Sequence, residues 1–178
     1  MVSKNPAVFL DRDGVINRSV LVNGTPTAPN LLEDIEILSN VRDCITRLSM
    51  SNYTVVVITN QPDVARGTVT KNQIDMINGA ICDLVGIKHS YICYHDESDN
   101  CTCRKPKPGN IFKAASDLNI DLRQSYMVGD RWRDIYAGQQ AGCKCFFINY
   151  QYPEIAPKKP YVEVKSLKDA VNLILAGE

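Results

Sequence analysis

The sequence predicts an α/β fold, a Rossmann-like parallel sheet flanked by helices, with no large cap domain. Three observations carry that expectation. Short continuous apolar runs alternate along the chain with stretches of helical periodicity, the pattern of strands buried on both faces and covered by helices. Three of those runs stop abruptly at polar clusters: Asp11/Asp13, Thr59/Asn60 and Asp130/Asp134. The gaps between these clusters are short, which leaves the region around them open.

The elements follow in order. Residues 7–10 (Ala-Val-Phe-Leu) form a first buried strand, and residues 34–50 form a helix with Ile35, Leu38, Val41, Ile45 and Leu48 on one face. Residues 53–58 are a β-branched run that ends at Thr59-Asn60-Gln61. The next helix starts at Thr70, whose spacing to Gln73 is that of a capping box, and carries Ile74, Ile77, Ile81 and Val85 as its apolar stripe. Residues 91–93 are a short strand, followed by an irregular, cysteine-bearing segment to Pro108. A helix over 109–118, a strand over 126–128, a helix through 134–141 and a strand over 145–148 continue the alternation. The last helix starts at Ser166, with Leu167, Ala170, Val171 and Ile174 facing the core.

The bulk properties narrow the class. The 178 residues read as one domain, 1–178, with 44% apolar and 22% charged side chains, enough to bury a full core. Twenty basic residues balance twenty acidic ones. That neutrality gives no general field for nucleic acid or an anionic membrane, so neither is expected as a partner. No apolar run approaches the ~20 residues of a membrane span, and residues 1–6 lack the apolar stretch of a signal peptide. A monomer in the cytoplasm is the expectation. An odd count of seven cysteines in clustered spacing argues against a disulfide framework.

In an open parallel sheet, ligands bind beyond the carboxyl ends of the strands, so the three polar clusters converge. Phosphoryl transfer suits them. One carboxylate can attack phosphorus and hold the group as an acyl phosphate, and a second can protonate the leaving oxygen and then activate water. A cation held by oxygen ligands must relieve the repulsion between carboxylate and phosphate, with a lysine and a hydroxyl on the transferred oxygens. Asp-x-Asp-Gly alone is commonly a solvated turn. Three such polar clusters, each at the end of a predicted strand, are a far stronger signal.

Cys93-x-His95 and Cys101-x-Cys103 place three thiolates and one imidazole within eleven positions. A closed set of this kind suits tetrahedral Zn²⁺ in a structural role, since four protein ligands leave no position for water. The loop between the pairs holds Asp96, Glu97, Asp99 and Asn100 and has no apolar content to order itself. Reduced free cysteines are the alternative, and an iron–sulfur centre a weaker one because of the histidine. Cys44 and Cys82 fall on or beside apolar helix stripes as small core residues, His89 is expected near the surface or a helix end, and Cys143 and Cys145 have no nearby histidine partner.

Asp11-Arg12-Asp13-Gly14-Val15, Thr59, Lys105 and Gly129-Asp130-x-x-x-Asp134 resemble, in order, the four motifs of the haloacid dehalogenase superfamily. The resemblance implies Asp11 as nucleophile, Asp13 as general acid/base, and Thr59 and Lys105 on the phosphoryl group. It implies Mg²⁺ held by Asp11, the main-chain carbonyl of Asp13 and Asp130, with Asp134 supporting the site.

The Cys/His loop running into Cys103-Arg104-Lys105-Pro106 is similar to two sister families. These are the D-glycero-D-manno-heptose-1,7-bisphosphate 7-phosphatases, which serve lipopolysaccharide and related glycans, and the histidinol-phosphate phosphatases. Asn17, Asn60-Gln61, Ala65-Arg66-Gly67 and Lys107-Pro108-Gly109 match the heptose family better. By that resemblance Asn17, Asn60, Gln61, Arg104 and Arg131 bind substrate, with Arg131 in the place of a basic residue for the distal phosphate. A small phosphorylated molecule, a sugar bisphosphate, is then the expected partner. Residues 18–30 depart from that family's specificity loop, as does Gln61-Pro62-Asp63 after the shared Asn-Gln.

Overall fold

In the computed structural model, which describes residues 4–22 and 25–178, six strands form one parallel sheet. They are β1 (Ala7–Leu10), β4 (Thr54–Asn60), β5 (His89–Cys93), β6 (Tyr126–Gly129), β7 (Lys144–Ile148) and β8 (Val162–Val164). Their order is β5-β4-β1-β6-β7-β8. Counted within the sheet alone, this is the doubly wound order, whose direction reverses between β1 and β6. The continuous apolar character of β1 has a direct cause, because all four residues are buried and its side chains alternate between two cores. Val8 and Leu10 pack towards α1 (Val41–Met50), α2 (Lys71–Val85) and α5 (Leu167–Ala176), whereas Ala7 and Phe9 pack towards α3 (Gly109–Asp117) and α4 (Trp132–Ala141).

The capping box at Thr70 is present. Its hydroxyl accepts from Gln73 N at 3.2 Å, and Gln73 Oε1 accepts from Thr70 N at 2.9 Å. Cys44, Cys82, Cys143 and Cys145 are buried.

The structure corrects one expectation and adds elements to the others. The helix expected over 34–50 is helical only from Val41. A 3-10 turn covers Leu32–Asp34, Ile37 bridges to Asn17, and Asn40 takes the left-handed conformation at φ 63°. Ile35 and Leu38 still pack on the core, so they keep an apolar phase without helical hydrogen bonding. His89, expected near the surface or a helix end, is half-buried and opens β5, which starts two residues before the strand expected over 91–93. Residues 18–30 contain an antiparallel hairpin, β2 (Val20–Val22) with β3 (Thr25–Thr27), and β8 adds an edge strand after β7.

Candidate active site

The sheet delivers the acidic residues by geometry alone. Asp11 follows β1 directly, and its N–H donates to Val128 O in β6 at 3.0 Å, tying the ends of the two strands together. Asp130 follows β6 directly, and Asp134 sits in the first turn of α4, where its Oδ2 accepts from Arg131 N at 2.9 Å. Two glycines permit this closeness. A Cβ on Gly14, at φ +89°, would lie 2.0 Å from Asp130 Oδ2, and a Cβ on Gly129 would lie 2.1 Å from the Asp134 Cβ.

Lys105 arrives from the opposite side and is 2% exposed. Its ammonium reaches Asp11 Oδ1 at 2.7 Å, Asp134 Oδ1 at 2.6 Å and the Ile58 carbonyl at 2.7 Å, so all three of its protons have acceptors. Burial pulls its pKa down, but the two carboxylates outweigh that and the net shift is upward. Asn60, at the end of β4, fixes where the lysine starts. Its amide donates to Lys105 O at 3.0 Å and its Oδ1 accepts from Lys105 N at 3.1 Å, as a neighbouring peptide would.

Asp13 lies in a different environment, two residues from Asp11 but turned to other partners. Arg12, whose side chain is fully buried, donates from Nε at 3.2 Å and Nη2 at 3.1 Å to Oδ1, and from Nη2 at 3.0 Å to Oδ2. Asn17 Nδ2 adds a bond to Oδ1 at 2.9 Å, and Gln61 Nε2 one to Oδ2 at 2.9 Å. Gln61 also donates to Thr59 Oγ1 at 2.8 Å. The amides of Asn17 and Gln61, expected at the substrate, are engaged with Asp13. In the sequence, Arg12 is a charged residue between two aspartates and carries no mark of its burial.

The charge in this pocket is uneven. Asp11, Asp13, Asp130 and Asp134 face only Lys105 and Arg12 as buried cations. Neither Asp130 oxygen, both buried, has a hydrogen bond of good geometry, although the Tyr152 hydroxyl lies near enough to draw its pKa down. Burial, reinforced by Asp11 and Asp134, pushes the Asp130 pKa well up, and burial followed by Asp134 pushes Asp11 up to about 7. Two buried carboxylate oxygens without a well-formed hydrogen bond, and ligand atoms of Asp11, Asp130 and Asp134 within 4.8 Å of one another, fit a hard divalent cation.

The Cys/His loop brings its four ligands together as expected. Cys93 Sγ lies 3.7 Å from Cys101 Sγ and 3.3 Å from Cys103 Sγ, and the latter two are 3.5 Å apart. His95 Nδ1 is 3.7 Å from Cys93 Sγ and 3.3 Å from Cys103 Sγ. A tetrahedral ion with bonds of about 2.3 Å needs thiolate sulfurs about 3.8 Å apart, so the cluster fits a metal of zinc's size and softness. Within the loop, a 3-10 turn at Glu97–Asp99 is capped by Asp96.

A cavity of about 300 Å³ opens above these groups and is lined by Asp11, Asp13, Thr59 and Lys105 on its floor. Arg66, Arg104, Arg131 and Arg133 stand around it, and Pro26, Thr27 and Ala28 bring the hairpin to one wall. The Arg131 guanidinium is engaged by Glu154 at 2.9 and 2.8 Å, and Arg104 donates to the His95 carbonyl at 3.2 Å.

Residues 20–142 match the haloacid dehalogenase-like hydrolase family model. The chain belongs to the haloacid dehalogenase-like phosphatases. A D-glycero-beta-D-manno-heptose-1,7-bisphosphate 7-phosphatase of Helicobacter pylori is 31% identical, with 98% of this chain and 99% of that protein aligned. A D-glycero-alpha-D-manno-heptose-1,7-bisphosphate 7-phosphatase of Photorhabdus laumondii is 33% identical over 97% and 98%. The fold of this phosphatase matches the crystal structure of the D,D-heptose 1,7-bisphosphate phosphatase of B. bronchiseptica, complexed with magnesium and phosphate. The TM-score is 0.82 at 25% identity, covering 97% of this chain and 99% of that one. No helix among the described residues is long and apolar enough to cross a membrane.

Proposed function

We propose that this phosphatase hydrolyses D-glycero-D-manno-heptose 1,7-bisphosphate at its 7-phosphate, through an aspartyl-phosphate on Asp11, in the supply of activated heptose. The observation that carries the mechanism is the contrast between two neighbouring carboxylates. Asp11 lies against Lys105 and the buried Asp130, where an incoming phosphoryl group finds a nucleophile and a balancing cation. Asp13 is held apart by Arg12, Asn17 and Gln61, free of that cluster, in a position to give a proton to the leaving oxygen and later take one from water. Asn17 and Gln61 then serve chiefly to aim Asp13, and Asn60 to aim Lys105. Thr59 orients the phosphoryl oxygens, and Asp134 fixes Lys105 from the far side.

Mg²⁺ held by Asp11, Asp130 and the Asp13 main-chain carbonyl would offset the repulsion between Asp11 and the phosphate. Zn²⁺ on Cys93, His95, Cys101 and Cys103 would order the loop that carries Arg104 to the cavity. Arg104 and Arg131 contact the remainder of the substrate. The chain acts as a single domain, 1–178, and as a monomer in the cytoplasm, a reading supported by the odd, clustered cysteines of the sequence, which do not suit a disulfide framework.

The substrate assignment rests on the named relatives and on an arginine-lined cavity suited to a second phosphate. Phosphate release from both anomers of the heptose bisphosphate and from histidinol phosphate, with Mg²⁺ present, tests it. Turnover of a heptose bisphosphate well above histidinol phosphate is expected. The reverse ranking would overturn the substrate and leave the Asp11 chemistry standing.

A further inference from the structure

Each of the four arginines at the cavity is held by a carboxylate. Arg66 donates to Asp96 at 2.8 and 3.0 Å, and Arg104 approaches the same group at 3.8 Å. Arg131 is bidentate to Glu154. Arg133 donates from Nη2 to Glu97 at 2.6 Å, with Nη1 4.0 Å from Glu154.

The Arg133 pair differs from the others in two respects. Its guanidinium carbon lies 4.6 Å from the centre of the Trp132 ring, a stacking contact that fixes the group without using its N–H donors. Its carboxylate is also the most accessible of the set. The Glu97 side chain is 67% exposed, against 20% for Glu154 and 25% for Asp96. An ion pair open to water on the acid side contributes little, so another anion can replace that acid at small cost. Arg133 adjoins Asp134, which contacts Lys105, and so sits on the element that already borders the phosphoryl position.

We propose that Arg133 is a specificity-determining residue that takes the second anionic group of the substrate, and that Glu97 is an exchangeable counter-ion holding it until then. The inference rests on the bisphosphate reading above. A phosphate dianion presents more charge and more acceptor oxygens than a carboxylate and can engage both prongs of the fork, so it displaces Glu97. The Trp132 stack keeps the guanidinium in place through the exchange. Glu97 comes from the Cys/His loop, so the segment that orders around a metal also sets how the cavity receives a second anion.

The test compares kcat/KM for the heptose 1,7-bisphosphate with that for heptose 7-phosphate in the wild type, Arg133→Met and Glu97→Gln. Arg133→Met should lower the bisphosphate-to-monophosphate ratio about tenfold, through KM, because a charge-assisted bidentate contact is lost. Glu97→Gln should lower KM for the bisphosphate by roughly two- to threefold, the effect of removing a weak competing ion pair. Equal losses on both substrates in Arg133→Met, or a raised bisphosphate KM in Glu97→Gln, would overturn the proposal.

A second arm reads inhibition of p-nitrophenyl phosphate hydrolysis by fructose 1,6-bisphosphate and by inorganic phosphate. If the wild type ignores the heptose bisphosphate but Arg133→Met selectively weakens the two-phosphate inhibitor, the substrate assignment falls and the role of Arg133 stands. Equal weakening of both inhibitors removes that role.

Discussion

The carboxylate floor and the Cys/His loop are both clusters of side chains that could hold a metal ion, yet they are held together by opposite means. The floor is fixed by the sheet. Asp11, Thr59 and Asp130 sit just past or at the ends of β1, β4 and β6, and two cores hold those strands in register. Of the four Cys/His side chains in the loop, only Cys93, the last residue of β5, is buried. The other three lie on polar, irregular chain whose only repeating structure is one 3-10 turn. A site built on a sheet can tolerate uncompensated charge because the scaffold cannot relax around it. A site built on a loop needs its ligand in order to have a shape.

Asp11→Asn tests the floor most severely. Turnover should fall to the detection limit while circular dichroism shows the sheet and helices intact, because neighbouring strands, not the carboxylate, hold the position. Retained activity would end the aspartyl-phosphate mechanism.

Lys105→Met comes next. It leaves Asp11 and Asp134 buried without a cation, and a loss of about 3–5 kcal/mol in denaturant-measured stability is expected, together with loss of activity. A variant as stable as wild type would mean that another group already neutralises those acids.

Cys101→Ser should act on the loop and leave the floor. Elemental analysis should show the loss of about one zinc per chain, and amide exchange should quicken over residues 94–107 while β1, β4 and β6 stay protected. Exchange spreading through the sheet would show that the two regions are one cooperative unit.

Gln61→Leu probes the aim of Asp13 without touching Asp11. Its kcat/KM should fall about tenfold or more for alkyl phosphates, which need a proton on the leaving oxygen. Nitrophenyl phosphate, with its good leaving group, should be far less affected. Equal losses would make Gln61 a structural or substrate contact instead. Smallest of all is Thr70→Ala, which removes the α2 cap at a cost of about 1 kcal/mol with kinetics unchanged.

The same contrast explains what could be read from the sequence. Strand ends and helix stripes were legible because β1, β4 and β6 are buried on both faces and α2 and α5 present regular apolar stripes. The cluster of Cys93, His95, Cys101 and Cys103 is legible because side chains of this kind that meet in space are here also close in sequence. The helix over 34–50 was read too long because Ile35 and Leu38 continue the apolar phase of α1. The adjacent Ser39-Asn40, residues favoured at helix starts, was the signal that marked the boundary. Pairing across space left no trace. Nothing local distinguishes the buried Arg12 from a surface arginine, or marks Glu97 as the ion-pair partner of Arg133. The hairpin and β8 were missed because three-residue strands are too short to show a period.

Gly14 has a practical bearing on redesign. Its missing side chain is what lets the turn after Asp11 lie against the Asp130 carboxylate, so an engineer retargeting this scaffold to another phosphoester has no freedom there. Randomising that turn would chiefly yield dead clones. The Pro26–Ala28 wall of the cavity lies on the β2–β3 hairpin, apart from the six-stranded sheet, and is the segment to vary for a new substrate range.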